Sequence, residues 1–214
     1  MSVAAVVVAA GQGVRYGGAK QFALLGDATV SARSVRVARS VADTVILVVP
    51  FSYDGTGEGA DIVVVGGATR AESVRAGLRE CADVDIIVVH DAARPVATAA
   101  LFVAVVDAVR HGADGAVPGL GITDTVKRVV VDGSTTSVAE TLDRNALVTA
   151  QTPQAFRRDV LERAHATQDD AADDAALVEA VGGHVVVVPG EEDNIKITQP
   201  RDLVTLTTKI GAAT

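Results

Sequence analysis

The sequence predicts an α/β fold: a doubly wound, mostly parallel sheet with helices on both faces. Three observations carry that prediction. Short Val/Ile runs alternate along the chain with amphipathic, Ala-rich segments. Hydrophobic residues make up 49% of the 214 residues and aromatics only 3%, so the core is built from Val, Ala, Ile and Leu. The first apolar run leads straight into a glycine-rich loop, in "VVVAAGQGVRYGGAKQF" from Val6 to Phe22, which lets backbone N–H groups approach a ligand at the carboxyl end of a buried strand.

In chain order, Val3–Ala9 reads as the first buried strand, followed by the glycine loop and a helical pattern over Val30–Val41. Strand patterns follow at Thr44–Val49 and Asp61–Val65, the second ending in paired glycines that open a helix over Arg70–Ala82. The most apolar strand, Asp85–His90, ends in "VHDAARP" and is followed by a helix over Ala99–His111 and a strand at Gly115–Pro118. Helical patterns at Asp159–Ala166 and Asp174–Val181, a strand at His184–Val188 and a helix over Pro200–Lys209 complete the alternation. The acidic run "QDDAADDAALVE" lacks ordered ligand spacing and reads as a helix N-terminus with favourable dipole interactions.

One segment breaks the pattern. Residues 122–148 contain "VVVDGSTT", an apolar run followed by the hairpin signal Asp132-Gly133. An antiparallel arm of this size has too little core of its own, so it is expected to pack on the main body or on a second subunit. No composition shift or internal repeat marks a second domain, and a single domain over 1–214 is the expectation.

A net charge of −8 and a pI near 4.9 argue against a nucleic-acid partner but allow a small anionic ligand where a few cations are concentrated. With one cysteine, Cys81, no intrachain disulfide forms; Cys81 reads as a small packing residue. No signal peptide or membrane-length apolar run is present, so a cytoplasmic location without a membrane partner is expected.

"GQGVRYGG" is not a Walker A loop, because it lacks the closing Gly-Lys-Ser/Thr, and it fits the dinucleotide pattern badly, since Gly11 and Gly13 are followed by Tyr16 before Gly17. By itself the loop reads equally as a phosphate cradle or as a tight turn with incidental basic residues. Three further clusters fall at strand ends: "VGGATRAESVRAGL" (65–78), with Ser73 placed to read a base edge; "VHDAARP" (89–95), with Asp91 and Arg94; and "DNIKIT" (193–198), with Lys196. The four histidines, His90, His111, His165 and His184, show no metal-ligand spacing and read as structural or solvated.

Together, "AAG.G.R", "KQF", "GG..R..SV..GL", "HDAARP", "DTVKR", "LDRN", "TPQAF" and "DNIKIT", in this order over nearly the whole chain, resemble the bacterial 2-C-methyl-D-erythritol 4-phosphate cytidylyltransferases. The resemblance implies a Rossmann-like nucleotidyltransferase fold and a homodimer held partly by the β-arm. It also implies transfer of CMP from CTP to a sugar-alcohol phosphate with release of pyrophosphate, and Mg²⁺ as cofactor. It places Arg15, Lys20 and Lys196 around the triphosphate and the transition state. Ala9, Ala10 and Gly11, with Gly13 in the same loop, and Gly67, Ala68 and Ser73 fall at cytosine and nucleotide contacts. Asp91 and Arg94 fall at the ribose or acceptor, Asp91 near Mg²⁺ without being a required ligand. Thr125, Arg144 and Thr152 fall at the acceptor, Arg144 reaching the neighbouring subunit's site as a catalytic cation. The chemistry agrees: the attacking phosphate oxygen is already ionised, so the site needs positioning and cations rather than a general base.

Two departures from the family pattern stand out. Val8 and Ala19 replace prolines beside the loop, and Ala172 replaces a threonine expected at the acceptor. Ribitol 5-phosphate as acceptor and a non-catalytic nucleotide-binding regulator are the alternatives. A nicotinamide oxidoreductase is disfavoured because no acidic residue follows the second strand.

Overall fold

The computed structural model describes residues 1–11, 13, 16–81, 83–167, 169 and 171–212. Strand β1 (Val3–Val8) lies mid-sheet, and the loop after it leads through a two-residue pair, β2 (Leu24–Leu25) and β3 (Ala28–Thr29), into helix α1 (Val30–Ala38). Then come β4 (Thr44–Val49), β5 (Ile62–Val65), α2 (Arg70–Leu78), β6 (Ile86–Asp91), α3 (Ala99–Arg110) and β7 (Gly115–Gly121). The arm is β8 (Lys127–Asp132) and β9 (Thr135–Thr141); the chain returns through β10 (Val148–Ala150), β11 (Gln154–Arg157), α4 (Arg158–Ala166), α5 (Asp174–Ala180), β12 (Val185–Pro189) and α6 (Pro200–Ala212). Thr29, Thr69 and Thr98 cap α1, α2 and α3 through their side-chain oxygens, and Asp173 caps α5.

Across the main sheet the order is β5, β4, β1, β6, β11, β7, with β12 added in parallel on β7. β1 is parallel to β4 and β6, and β4 to β5, whereas β11 runs antiparallel between β6 and β7. Neither β10 nor β11 is anticipated by the sequence pattern. Three- and four-residue strands are too short to show a period, and their place is set by pairing with β7 and β6. Two predicted helices end three or four residues earlier than the apolar pattern suggests, α1 at Ala38 and α2 at Leu78, whereas α6 runs past Lys209 to Ala212.

Successive residues of β1 serve opposite faces. Val3, Ala5 and Val7 pack with Val45 and Leu47 of β4 beneath α1 and α3, while Ala4 and Val6 pack with Ile46 and Val48 beneath α2, α4 and α5. Helix α2 rides close on β1: a Cβ at Gly77 would stand 2.5 Å from Val6 Cγ1. A third cluster, Leu25, Val30, Ile197 and Leu206, ties α6 and the segment before it to the β2–α1 region. The Ile197 N–H donates to the Ala93 carbonyl at 2.8 Å, which brings the chain's last loop against the end of β6.

The arm projects from the far end of the β7–β10 pair, where Val148 faces Gly121. All residues of β8 and β9 are exposed, and Gly133 makes the turn with φ +55°, a conformation that glycine adopts without strain. Val129, Val131 and Val138 share one face of the arm and Val130 lies on the other; all four are 48–69% exposed and find no cover in the chain's own body.

His90, fully buried at the end of β6, tilts against the Phe102 ring, with centroids 4.9 Å apart. Its Nε2 lies 3.1 Å from the Arg94 carbonyl and its Nδ1 3.2 Å from Thr152 Oγ1. These partners suit the neutral ring, with Nε2–H donating to the carbonyl and the hydroxyl donating to Nδ1. Burial is the main cause that lowers its pKa from 6.5 to about 4. A depressed histidine pKa means that the unfolded chain takes up the proton first, so stability present above pH 6.5 is lost as pH falls towards 4. We expect denaturant unfolding to show a loss of at most about 3 kcal/mol over that window from this group. A His90→Gln variant should have a shallower pH slope there, and an unchanged slope would remove His90 as its cause.

Candidate active site

A cavity of about 330 Å³ opens at the carboxyl ends of β1 and β6. Ala9, Ala10, Gly11 and Gly13 of the first loop line it, with Lys20 and Gln21 of the following turn, Gly67, Ala68, Thr69, Arg70 and Ser73 at the start of α2, Asp91 and Ala93 after β6, and Lys196. At Gly13 only glycine fits: φ is +64°, and a Cβ would stand 1.9 Å from the Gly18 carbonyl oxygen. That carbonyl crowding comes from a tight turn in which the Gly13 oxygen accepts from the N–H groups of Tyr16 and Gly17.

The α2 entrance is fixed by a capping box, Thr69 with Glu72. Glu72 also accepts the Ala68 N–H at 2.6 Å, so Ala68 offers its carbonyl, rather than its N–H, to a ligand. The Ser73 hydroxyl donates to the Thr69 carbonyl at 2.9 Å and is left as an acceptor. An amino group on a base edge suits such acceptors, whereas a carbonyl does not.

The electrostatic centre is Asp91. Lys196 Nζ lies 2.6 Å from its Oδ2 and Arg70 Nε 3.3 Å from its Oδ1. Burial works against the carboxylate, but the Lys196 ammonium and then the Arg70 guanidinium outweigh it, holding the carboxyl well below the usual range. Arg70 reaches further, to Asp174 at 2.7 Å, and Asp174 meets His165 Nε2 at 2.9 Å. Burial opposes the Arg70 charge, yet Asp174 and Asp91 more than offset it and raise its pKa. The result is a line of alternating charge, Lys196–Asp91–Arg70–Asp174, running from the cavity to the buried start of α5.

The expected residues that the structure describes divide into three sets. Ala9, Ala10, Gly11, Gly13, Lys20, Gly67, Ala68, Ser73, Asp91 and Lys196 share the cavity. Arg94 and Thr152 stand behind it: Arg94 donates to the Asn194 carbonyl at 2.6 Å, and Thr152 Oγ1 accepts the Asp91 N–H at 3.0 Å while the Thr152 carbonyl holds Asn194 at 2.9 Å. They set the positions of Asp91 and of the loop carrying Lys196. Thr125 and Arg144 sit exposed at the base of the arm, where Arg144 donates to the Thr123 carbonyl, and neither lines the cavity of its own chain. Arg15 lies outside the described residues. Ala172, at the position of the expected threonine, is exposed just before α5.

Sequence reasoning missed Arg70, Gln21 and the inward role of Asp174. Arg70 carries a signal in hindsight: a cation in the first turn of a helix opposes the macrodipole and so calls for a carboxylate nearby. In the acidic run, Asp173 is the cap and Asp174 turns inward to Arg70, a division that composition does not show. Among the described residues no group of three or more His, Cys, Asp or Glu side chains is placed to hold a metal, and Asp91 is the one carboxylate lining the cavity.

Residues 3–210 match the family model described as IspD: 2-C-methyl-D-erythritol 4-phosphate cytidylyltransferase. The chain is 44% identical to the 2-C-methyl-D-erythritol 4-phosphate cytidylyltransferase of Streptomyces avermitilis, over 94% of this chain and 88% of that protein. It is 45% identical to a bifunctional enzyme IspD/IspF of Anaeromyxobacter sp. (strain Fw109-5), over 94% of this chain and 55% of that protein, so it spans about half the length of such bifunctional relatives. The crystal structure of 2-C-methyl-D-erythritol 4-phosphate cytidylyltransferase from Thermus thermophilus superposes with a TM-score of 0.83 at 32% identity, covering 98% of each chain. With the match running through every strand of the sheet and every loop of the cavity, the chain belongs to the 2-C-methyl-D-erythritol 4-phosphate cytidylyltransferase family.

Proposed function

We propose that the chain transfers CMP from CTP to 2-C-methyl-D-erythritol 4-phosphate, giving 4-diphosphocytidyl-2-C-methyl-D-erythritol and pyrophosphate. The observation that carries this reading is the convergence of Lys20 and Lys196 with the backbone segments 9–11 and 67–68 on one cavity, in a chain of this family. An acceptor phosphate oxygen attacks the α-phosphorus of CTP, and the bond from that phosphorus to the bridging oxygen of the β-phosphate breaks, releasing pyrophosphate. No proton has to be removed from the nucleophile, so the chain's task is in-line positioning and charge neutralisation.

Lys20 and Lys196 supply that charge. Lys196, held on Asp91 at 2.6 Å, is about 40% exposed and free to turn towards a phosphate, while Arg70 stays to balance Asp91. Mg²⁺, if bound, would face Asp91, the one carboxylate among the described residues that line the cavity, and would rely on the triphosphate and water for its other ligands. Its chemistry there is to neutralise phosphate charge.

The arm belongs to the same proposal. Its exposed valines seat a second copy, and Arg144 serves that copy's acceptor phosphate, where its planar fork grips two oxygens. A single-domain homodimer in the cytoplasm is the setting we infer; no helix of the described residues is long and apolar enough to cross a membrane.

A pyrophosphate-release assay tests the activity directly. Turnover should require Mg²⁺, stop on chelation, prefer CTP to UTP, and prefer methylerythritol phosphate to ribitol 5-phosphate as acceptor. Equal use of CTP and UTP would overturn the cytosine assignment, and preference for ribitol phosphate the acceptor assignment. Lys20→Ala and Lys196→Ala should each lower kcat by roughly 10²–10³, the scale for losing one preorganised electrostatic donor. The thermal midpoint should fall for Lys196→Ala, which leaves Asp91 with Arg70 alone. Near-parental kcat in both would refute charge neutralisation by these lysines. For the dimer, mixing Arg144→Ala with Lys20→Ala chains should restore roughly a quarter of parental activity under free exchange, since half the dimers are mixed and half their sites intact. Recovery no greater than the sum of the separate variants, with exchange shown independently, would place Arg144 in its own subunit's site.

A further inference from the structure

Gln21 is a buried carboxamide that the reaction chemistry does not use. It is only 3% exposed, and its Nε2 lies 2.7 Å from the Ala9 carbonyl oxygen and 3.0 Å from that of Gly11. Both N–H bonds of the amide are therefore engaged by the loop that lines the nucleotide cavity. The turn that carries Gln21 is itself braced. Its main-chain carbonyl lies 2.8 Å from Ser31 Oγ, and Phe22 stacks on Tyr53 with ring centroids 3.6 Å apart. Behind them sits Glu58, 4% exposed, accepting from Thr29 Oγ1 at 2.6 Å and from the Tyr53 hydroxyl at 2.5 Å. Ser31 Oγ is 2.5 Å from the same carboxylate, so its one proton serves either Glu58 or Gln21 at a time.

This brace has a chemical consequence. A trans peptide points each C=O opposite to the next N–H, so holding the Ala9 carbonyl also fixes the direction of the Ala10 N–H. With the Ala9 oxygen held by Gln21, the Ala10 N–H is the group of that peptide left to face a ligand, and it is a donor. Cytosine carries an unprotonated ring N3, an acceptor, where uracil carries N3–H, a donor. A loop locked as donor suits the first and leaves the second unpaired, and unpaired buried polar groups are what give strong discrimination.

We propose that Gln21 is a positioning residue that sets the hydrogen-bond polarity of the Ala9–Gly11 loop and thereby the preference for CTP over UTP. The proposal rests on the cytidylyltransferase reading, because it concerns how that base is chosen.

Gln21→Met keeps the side-chain length and removes both donors. Its CTP-over-UTP ratio of kcat/KM should fall about tenfold or more, the worth of one lost hydrogen bond to a buried group, with the loss falling on KM for CTP more than on kcat. A folded Gln21→Met protein with the parental ratio would overturn the proposal. Should Gln21→Met not fold, Gln21→Glu decides: protonated, it keeps one donor, and ionised it has none, so its CTP preference should drop as pH rises while the parental preference stays flat. A pH-independent preference in Gln21→Glu would refute the role. Amide hydrogen exchange separates this idea from the activity itself. Exchange at Ala9, whose N–H donates to the Val48 carbonyl at 2.7 Å beside the held oxygen, should be at least tenfold faster in either variant than in the parental chain, whether or not the parental chain turns over CTP. Unchanged exchange would overturn the brace, whereas absent parental turnover would overturn only the activity.

Discussion

Asp91 is the constraint on which the site depends. It is a nearly buried carboxylate at the end of a central strand, and a buried charge persists only when it is paired. Its two counter-ions come from distant parts of the chain: Arg70 from the start of α2, and Lys196 from the loop before α6. Satisfying one charge therefore fixes how two peripheral elements meet the sheet. Arg70 adds α5 through Asp174, so a single line of charge connects three elements around the cavity.

The same line prepares the site for an anionic ligand. Lys196 is bound to Asp91 yet partly exposed, which gives it a resting partner that it can leave for the proposed phosphate, while Arg70 remains on Asp91. Backbone groups do the rest. The capping box at Thr69 commits the Ala68 N–H, the Thr69 carbonyl takes the Ser73 proton, and Gln21 engages the loop carbonyls. Each of these bonds commits one polar group of the cavity wall and so removes one possible polarity from it. In a chain with a net charge of −8, the cations at the cavity are thus concentrated at Lys20, Arg70 and Lys196 among the described residues.

Behind the cavity, Thr152 and Arg94 illustrate how residues of a binding motif act at one remove. Thr152 holds the Asp91 amide and contacts His90, and Arg94 holds Asn194 two residues before Lys196. The short strand β11, inserted antiparallel between β6 and β7, is what brings the Thr152 turn under Asp91. In the arm the opposite holds: β8 and β9 make no such support for the cavity of their own chain, and their valines stay exposed.

The sequence by itself determined the alternation of strands and helices, the glycine-rich turn at Gly13, the hairpin at Gly133 and part of the cavity lining, without Gln21 and Arg70. The first three are local properties, because apolar period and turn chemistry depend on near neighbours, whereas Lys20, Ser73, Asp91 and Lys196 became legible only through the order of several motifs along the whole chain. Only the tertiary structure decided the pairings of Asp91 with Arg70, Arg70 with Asp174 and Gln21 with Ala9 and Gly11, and the insertion of β11. Arg70 and Asp174 are 104 residues apart, and nothing in either one's neighbours names the other. The physical reason is that burial creates the demand for a partner: an arginine or glutamine at the surface is satisfied by water, and it selects a specific protein partner only once the fold has taken that water away.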